Sequence, residues 1–158
     1  QVDLAMTGFG YGKSQVTPLH MAMVSSTIAN DGVMMQPRLV KTITDKDGKE
    51  IYKAKDEKLS IVTSKRRANN IRDMMVDVVN EGTGKAAYID GIQVAGKTGT
   101  TDKSNGFIDA WFVGFAPAYD PKIAVAIVVE DADDTGGVTV APIARNLMRD
   151  IFNQVRLD

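Results

Sequence analysis

Residues 92–130 contain three strand-length runs joined by connections too short for a crossover. The runs fall at about 92–101, about 108–117 and about 122–130, with Asn105-Gly106 before the second and Tyr119-Asp120-Pro121 before the third. Parallel neighbours need a dozen or more connecting residues, so the short connections favour antiparallel neighbours. A helix is predicted after them, from about Ala141 to Val155. There Ile143, Ala144, Leu147, Met148, Ile151, Phe152 and Val155 form an apolar face that has to cover something, most simply the three-stranded sheet.

The rest of the chain supplies further helices and a hairpin. The first 16 residues read as a loop, because Gly8, Gly10 and Gly12 alternate with Phe9 and Tyr11. Thr17-Pro18 has the chemistry of a helix start, with Thr17 as N-cap and Pro18 at the first helical position. That helix runs to about Asn30-Asp31-Gly32, and its apolar residues on nearly every side predict burial. Residues 39–54 read as a hairpin turning at Asp47-Gly48. A second helix starts near Ser64, carries an apolar stripe through Ala68, Ile71, Met74, Met75, Val78 and Val79, and stops at Gly82. Trp111 and Phe115 are expected in the core. The fold class is mixed α/β of the α+β type, with an antiparallel sheet and helices packed on it.

Charge and composition exclude several functions. The 158 residues carry 19 basic and 20 acidic side chains, so bulk charge does not make this a nucleic-acid binder. No apolar run reaches the ~18 residues of a membrane helix. The chain has no cysteine, which excludes disulfides, thiolate catalysis and cysteine metal sites. Its one histidine, His20, is read as a packed or surface residue. The run Glu130-Asp131-Ala132-Asp133-Asp134 is read as a solvated loop, because a hard-cation loop needs spaced ligands that it does not show. No metal or cofactor is expected.

Two signatures compete for residues 91–101. Gly91-Ile92-Gln93-Val94-Ala95-Gly96-Lys97-Thr98 fits the phosphate-loop pattern letter for letter. That loop requires a helix starting at the lysine, and the residues after Thr98 are poor helix formers. The alternative is a strand bearing Lys97, Thr98, Gly99 and Thr100. Lys97 then places a cation on the strand. Thr98 and Thr100, two apart, turn their hydroxyls the same way. Gly99 lets an acyl group approach the backbone, and the Thr100 N–H is a candidate oxyanion donor. An extended peptide can pair with such a strand.

The neighbouring segments resemble those of penicillin-binding transpeptidases, in the same order. They are Thr17-Pro18-Leu19, Ile28-Ala29-Asn30-Asp31-Gly32, Gln36-Pro37-Arg38-Leu39-Val40, Glu81-Gly82-Thr83-Gly84-Lys85-Ala86-Ala87, Gly96 to Thr101, and Ala110 to Pro117. The chain as a whole is most similar to the monofunctional, class B members of that family. The resemblance implies the C-terminal part of the serine transpeptidase/β-lactamase-like fold. It implies a D,D-transpeptidase in which a serine attacks the penultimate D-Ala of a peptidoglycan stem peptide, and which β-lactam antibiotics acylate. Lys97 would assist proton transfer, and Thr98 and Thr100 would bind the substrate carboxylate. It further implies a bitopic parent in the cell membrane, with its catalytic domain on the extracytoplasmic side.

None of the six serines, Ser14, Ser25, Ser26, Ser60, Ser64 and Ser104, begins an S-x-x-K or S-x-N motif. In the family these motifs lie upstream. Residues 1–158 are therefore expected to be the C-terminal segment of a transpeptidase domain, inactive alone and partnered by the upstream half, with an open sheet edge and exposed apolar helix surface. A serine β-lactamase or β-lactam sensor, a catalytically dead scaffold module and a phosphate-loop enzyme are the alternatives.

Overall fold

The computed structural model describes residues 2–8, 15–103 and 106–154. Residues 2–8 are helical (α1, Val2–Gly8), which corrects the expected loop. Leu4, Ala5 and Met6 are good helix formers and outweigh the single glycine at the end. The rest of the glycine-rich stretch, with Gly10 and Gly12, lies outside the described residues.

The next helix begins where the sequence places it (α2, Pro18–Ala29). The Thr17 side chain accepts a hydrogen bond from the His20 N–H at 3.1 Å, and His20 itself is exposed. The expected burial of α2 does not hold. Its fully buried residues are Ser25 and Thr27, while Leu19 and Val24 are exposed. Its contact with the sheet core is made by Ile28 and Ala29. The Thr27 hydroxyl donates to the Met23 carbonyl at 2.7 Å, which satisfies it without a tertiary partner.

Four short strands follow: β1 (Val33–Met35), β2 (Thr42–Thr44), β3 (Glu50–Lys53) and β4 (Lys58–Ile61). β2 and β3 form the expected hairpin, but strand pairing starts at Thr42 and not at Leu39, which is fully exposed. The Asp45 carboxylate accepts from the N–H groups of Asp47 and Lys49, both at 2.9 Å, and so closes the turn locally. β1 pairs antiparallel with β4, a ladder that no local signal announced.

The second predicted helix (α3, Lys65–Asn80) is capped by the Ser64 hydroxyl, which accepts from the Arg67 N–H. It buries Ala68, Met75, Val76 and Val79, and leaves Ile71 and Met74 at the surface. A 3-10 turn at Lys85–Ala87 leads to the main sheet.

The main sheet consists of β5 (Ala95–Asp102), β6 (Ile108–Ala116) and β7 (Ile123–Ala132), antiparallel and in that spatial order. After it come a short helix (α4, Gly136–Thr139) and the C-terminal helix (α5, Ala141–Gln154). One core joins Phe112, Ala110, Ala116 and Val125 of the sheet to Val79, Ala87, Val140, Ala144 and Met148. The other joins Ala95 and Phe115 to Met75, Val76 and Ala118, with Ile28 and Ala29 packed beside them. Helices thus cover both faces of the sheet, and α3 contributes to both cores. Gly96 and Gly114 are paired across the strands, and the Phe112 ring lies over them. A Cβ at Gly96 would sit 2.4 Å from the ring tip, so the pair has to be glycine for the ring to lie flat.

Two core expectations need correction. Trp111 is only half-buried and belongs to neither core, although Phe115 is fully buried. On the β5 side its cross-strand neighbour is Gly99, which offers no side chain to pack on, and Val128 flanks it on the β7 side. On α5, Ala144 and Met148 are buried, but Ile143 and Leu147 are exposed, and Val155 lies outside the described residues.

Lys103 ties the end of β5 to the rest of the sheet. Its ammonium donates to Asp109 of β6 at 3.2 Å and pairs with Asp131 of β7 at 2.8 Å. The acidic run is therefore partly engaged rather than free. The hydrogen bond to Asp131, then that to Asp109, raises the Lys103 pKa above its ordinary 10.5. A raised lysine pKa adds stability that is complete below the unfolded value and is lost as pH climbs through the folded one. Lys103→Met should therefore speed exchange of the Lys103 amide, which donates to the Phe107 carbonyl at 2.9 Å, throughout the neutral range. Above the raised pKa the variant and the parent should converge. Equal exchange rates at pH 7 would show that the clamp does not hold the turn.

Candidate functional site

β5 carries all four residues singled out in the sequence. Lys97, Thr98, Gly99 and Thr100 stand opposite Val113, Phe112, Trp111 and Ala110 of β6. The strand runs unbroken from Ala95 through Lys97 to Asp102. No helix starts at Lys97, so the phosphate-loop reading fails. A strand cannot turn its successive N–H groups onto one phosphate. Among the described residues, no strand pairs with the second edge of β5 or of β7.

Strand alternation divides the four residues between two sides. Lys97 is exposed, and its ammonium donates to the carbonyl of Thr98. Thr98 and Thr100 project from the other side. Thr98 is nearly buried, at 7% exposure, and its hydroxyl lies 2.6 Å from that of Thr83. The Thr100 hydroxyl accepts from the Gly136 N–H at 3.2 Å. The two hydroxyls therefore do face the same way, and each has a partner behind it.

These partners, Thr83 and Gly136, lie outside the Lys97–Thr100 stretch that the sequence marks. Thr83 lies in the Gly82-Thr83-Gly84 turn after α3, and Gly136 opens α4. Gly136 sits directly on the sheet backbone. A Cβ there would lie 2.4 Å from the Trp111 carbonyl oxygen and 2.5 Å from that of Gly99. Peptide oxygens in a strand cannot rotate aside, so only glycine allows α4 to dock closely enough to donate to Thr100. The Gly-Gly pair at 136–137, placed after an apolar strand, was the available signal for close backbone approach. Nothing local links Thr83 to Thr98.

The described residues hold no group of three or more histidine, cysteine or carboxylate side chains placed to bind a metal. No described helix is long and apolar enough to cross a membrane.

The fold and this strand define a mixed α/β domain, with a helix-covered antiparallel sheet and an open edge of Lys-Thr-Gly-Thr. The family described as the penicillin binding protein transpeptidase domain matches residues 1–149. The chain belongs to that family. It is 41% identical over 150 residues to the peptidoglycan D,D-transpeptidase PbpA of Mycolicibacterium smegmatis, covering 90% of this chain and 30% of the relative. It is 38% identical over 164 residues to stage V sporulation protein D of Bacillus subtilis, covering 94% and 24%. Among solved structures, the D,D-transpeptidase domain of a peptidoglycan glycosyltransferase from Eggerthella lenta matches with a TM-score of 0.80 at 47% identity, covering 90% of this chain and 33% of that one. Penicillin-binding protein A from M. tuberculosis, solved as a ceftriaxone acyl-enzyme complex, matches with a TM-score of 0.85 at 34% identity, covering 92% and 34%. The chain spans less than a third of the length of these two curated relatives.

Proposed function

We propose that this chain is the C-terminal part of the transpeptidase domain of a class B penicillin-binding protein. The whole protein would be a serine D,D-transpeptidase that crosslinks peptidoglycan stem peptides and is acylated by β-lactams. The observation that carries the reading is the open β5 edge, with Lys97 on one side and the backed hydroxyls of Thr98 and Thr100 on the other. An extended D-Ala-D-Ala terminus can lie along such an edge as an added strand, with Gly99 leaving room for its acyl group. Thr98 and Thr100 donate to its carboxylate. Lys97 orients the ligand and helps move the proton of the attacking serine.

That serine comes from the upstream half of the same domain. Ser25 is buried in α2, the Ser26 hydroxyl is bonded to the Met23 carbonyl, and Ser64 caps α3, which supports a nucleophile outside these residues. The upstream half also pairs with the free edge of β7 and covers Ile143 and Leu147, which are 44% and 42% exposed. The parent is a bitopic membrane protein with this domain outside the cytoplasmic membrane.

The test is the intact mass of the full-length ectodomain after exposure to benzylpenicillin, followed by peptide mapping. One stable penicilloyl adduct on a serine outside residues 1–158 is expected. No adduct would leave the chain a scaffold module. An adduct on a serine within 1–158 would refute the placement of the nucleophile, and rapid loss of the adduct would indicate a β-lactamase.

A further inference from the structure

We propose that Thr83 is a positioning residue for carboxylate recognition, acting through Thr98. The inference deepens the reading above and rests on it. Thr83 and Thr98 have hydroxyl oxygens 2.6 Å apart, which is a short, well-made hydrogen bond. Each hydroxyl has one hydrogen to give. The pair shares one hydrogen internally and has one left to direct outward. A ligand carboxylate can only accept, so it favours the arrangement in which Thr83 donates to Thr98 and Thr98 donates to the ligand. A chain of hydrogen bonds in one direction polarises each member and strengthens the last.

The same logic applies two residues further along. Thr100 accepts from the Gly136 N–H, so its own hydrogen is free to point forward. Each of these two threonines thus has a group able to donate to it, a backbone amide for Thr100 and the Thr83 hydroxyl for Thr98. The Thr83 backbone is held in place from two sides. On one side the neighbouring Gly84 N–H donates to the Val78 carbonyl at 2.9 Å. On the other, α4 lies so close that a Cβ on Gly137 would be 2.5 Å from the Thr83 carbonyl oxygen. The Thr83 backbone is therefore held in place before any ligand arrives, which is what a positioning group must offer, and the ligand sets only which of the two hydroxyls donates.

Thr83 could also serve only to satisfy the nearly buried Thr98 hydroxyl, and that role would not depend on ligand charge. The experiment separates the two. Acylation rate constants are measured for full-length wild type, Thr83→Val and Thr83→Ser, with benzylpenicillin and with its methyl ester, alongside a melting curve for each. We expect Thr83→Val to slow benzylpenicillin by about tenfold, the effect of weakening one charge-assisted hydrogen bond, and to slow the ester by less than about twofold. Thr83→Ser, which keeps the hydroxyl, should recover the carboxylate-dependent rate. Equal slowing of both ligands, or of neither, would overturn the inference. If Thr83→Val fails to fold, Thr83→Ala takes its place with the same criteria. A wild type that benzylpenicillin does not acylate would instead sink the enzymatic reading, and this inference with it.

Discussion

Lys97→Ala in the full-length protein should slow acylation by benzylpenicillin by about 10²–10⁴-fold, the usual contribution of a positioned proton-transfer group. The effect should be almost purely chemical. Lys97 is exposed, and its ammonium bonds to the carbonyl of the next residue, so the strand keeps its pairing with Val113 and its neighbours without that side chain. Surface changes of this kind alter stability by about 0.5 kcal/mol or less. Lys97→Arg should also be impaired, because the planar guanidinium keeps the charge but not the point geometry. Time-resolved labelling with a fluorescent penicillin reads both variants. Acylation of Lys97→Ala within threefold of wild type would remove this residue from the mechanism.

Phe112→Ala should cost about 3–5 kcal/mol of stability, the range for truncating a fully buried aromatic ring. Phe112 is 0% exposed and belongs to the larger core. Its ring covers the paired Gly96 and Gly114, and neither glycine has a side chain that could relax into the void. Thr98 is the direct cross-strand neighbour of Phe112, so the void also loosens the strand next to the site. Denaturant unfolding of the full-length protein measures the loss, with Leu39→Ala as the control. Leu39 is fully exposed, and its truncation should stay within about 0.5 kcal/mol. A Phe112→Ala loss below about 1 kcal/mol would show that the core collapses around the missing ring.

The main sheet, α3 and α5 were legible because their signals are local. Short connections favour antiparallel pairing, Ser64 and Gly82 bracket α3, and Asp47-Gly48 marks the hairpin. The β1–β4 ladder was not legible, because its strands are three and four residues long and are separated in sequence by the whole β2–β3 hairpin. The burial of α2 departs from its apolar pattern for a related reason. Periodicity describes a helix alone, whereas the fold decided that Ser25 and Thr27 would face the protein and Leu19 would not. The site divides in the same way. The strand from Lys97 to Thr100 could be read as consecutive letters. Thr83 and Gly136 belong to the site only through tertiary contact, one arriving from the end of α3 and the other from the start of α4.

The seating of Gly136 on the carbonyls of Gly99 and Trp111 limits how this surface can change under selection. No side chain can be inserted between α4 and the sheet, so the underside of the site is closed to drift by substitution at that point. Variation of this surface is left to exchange of side chains along the strand and at residue 83, so selected changes would be read at those positions while position 136 stays glycine.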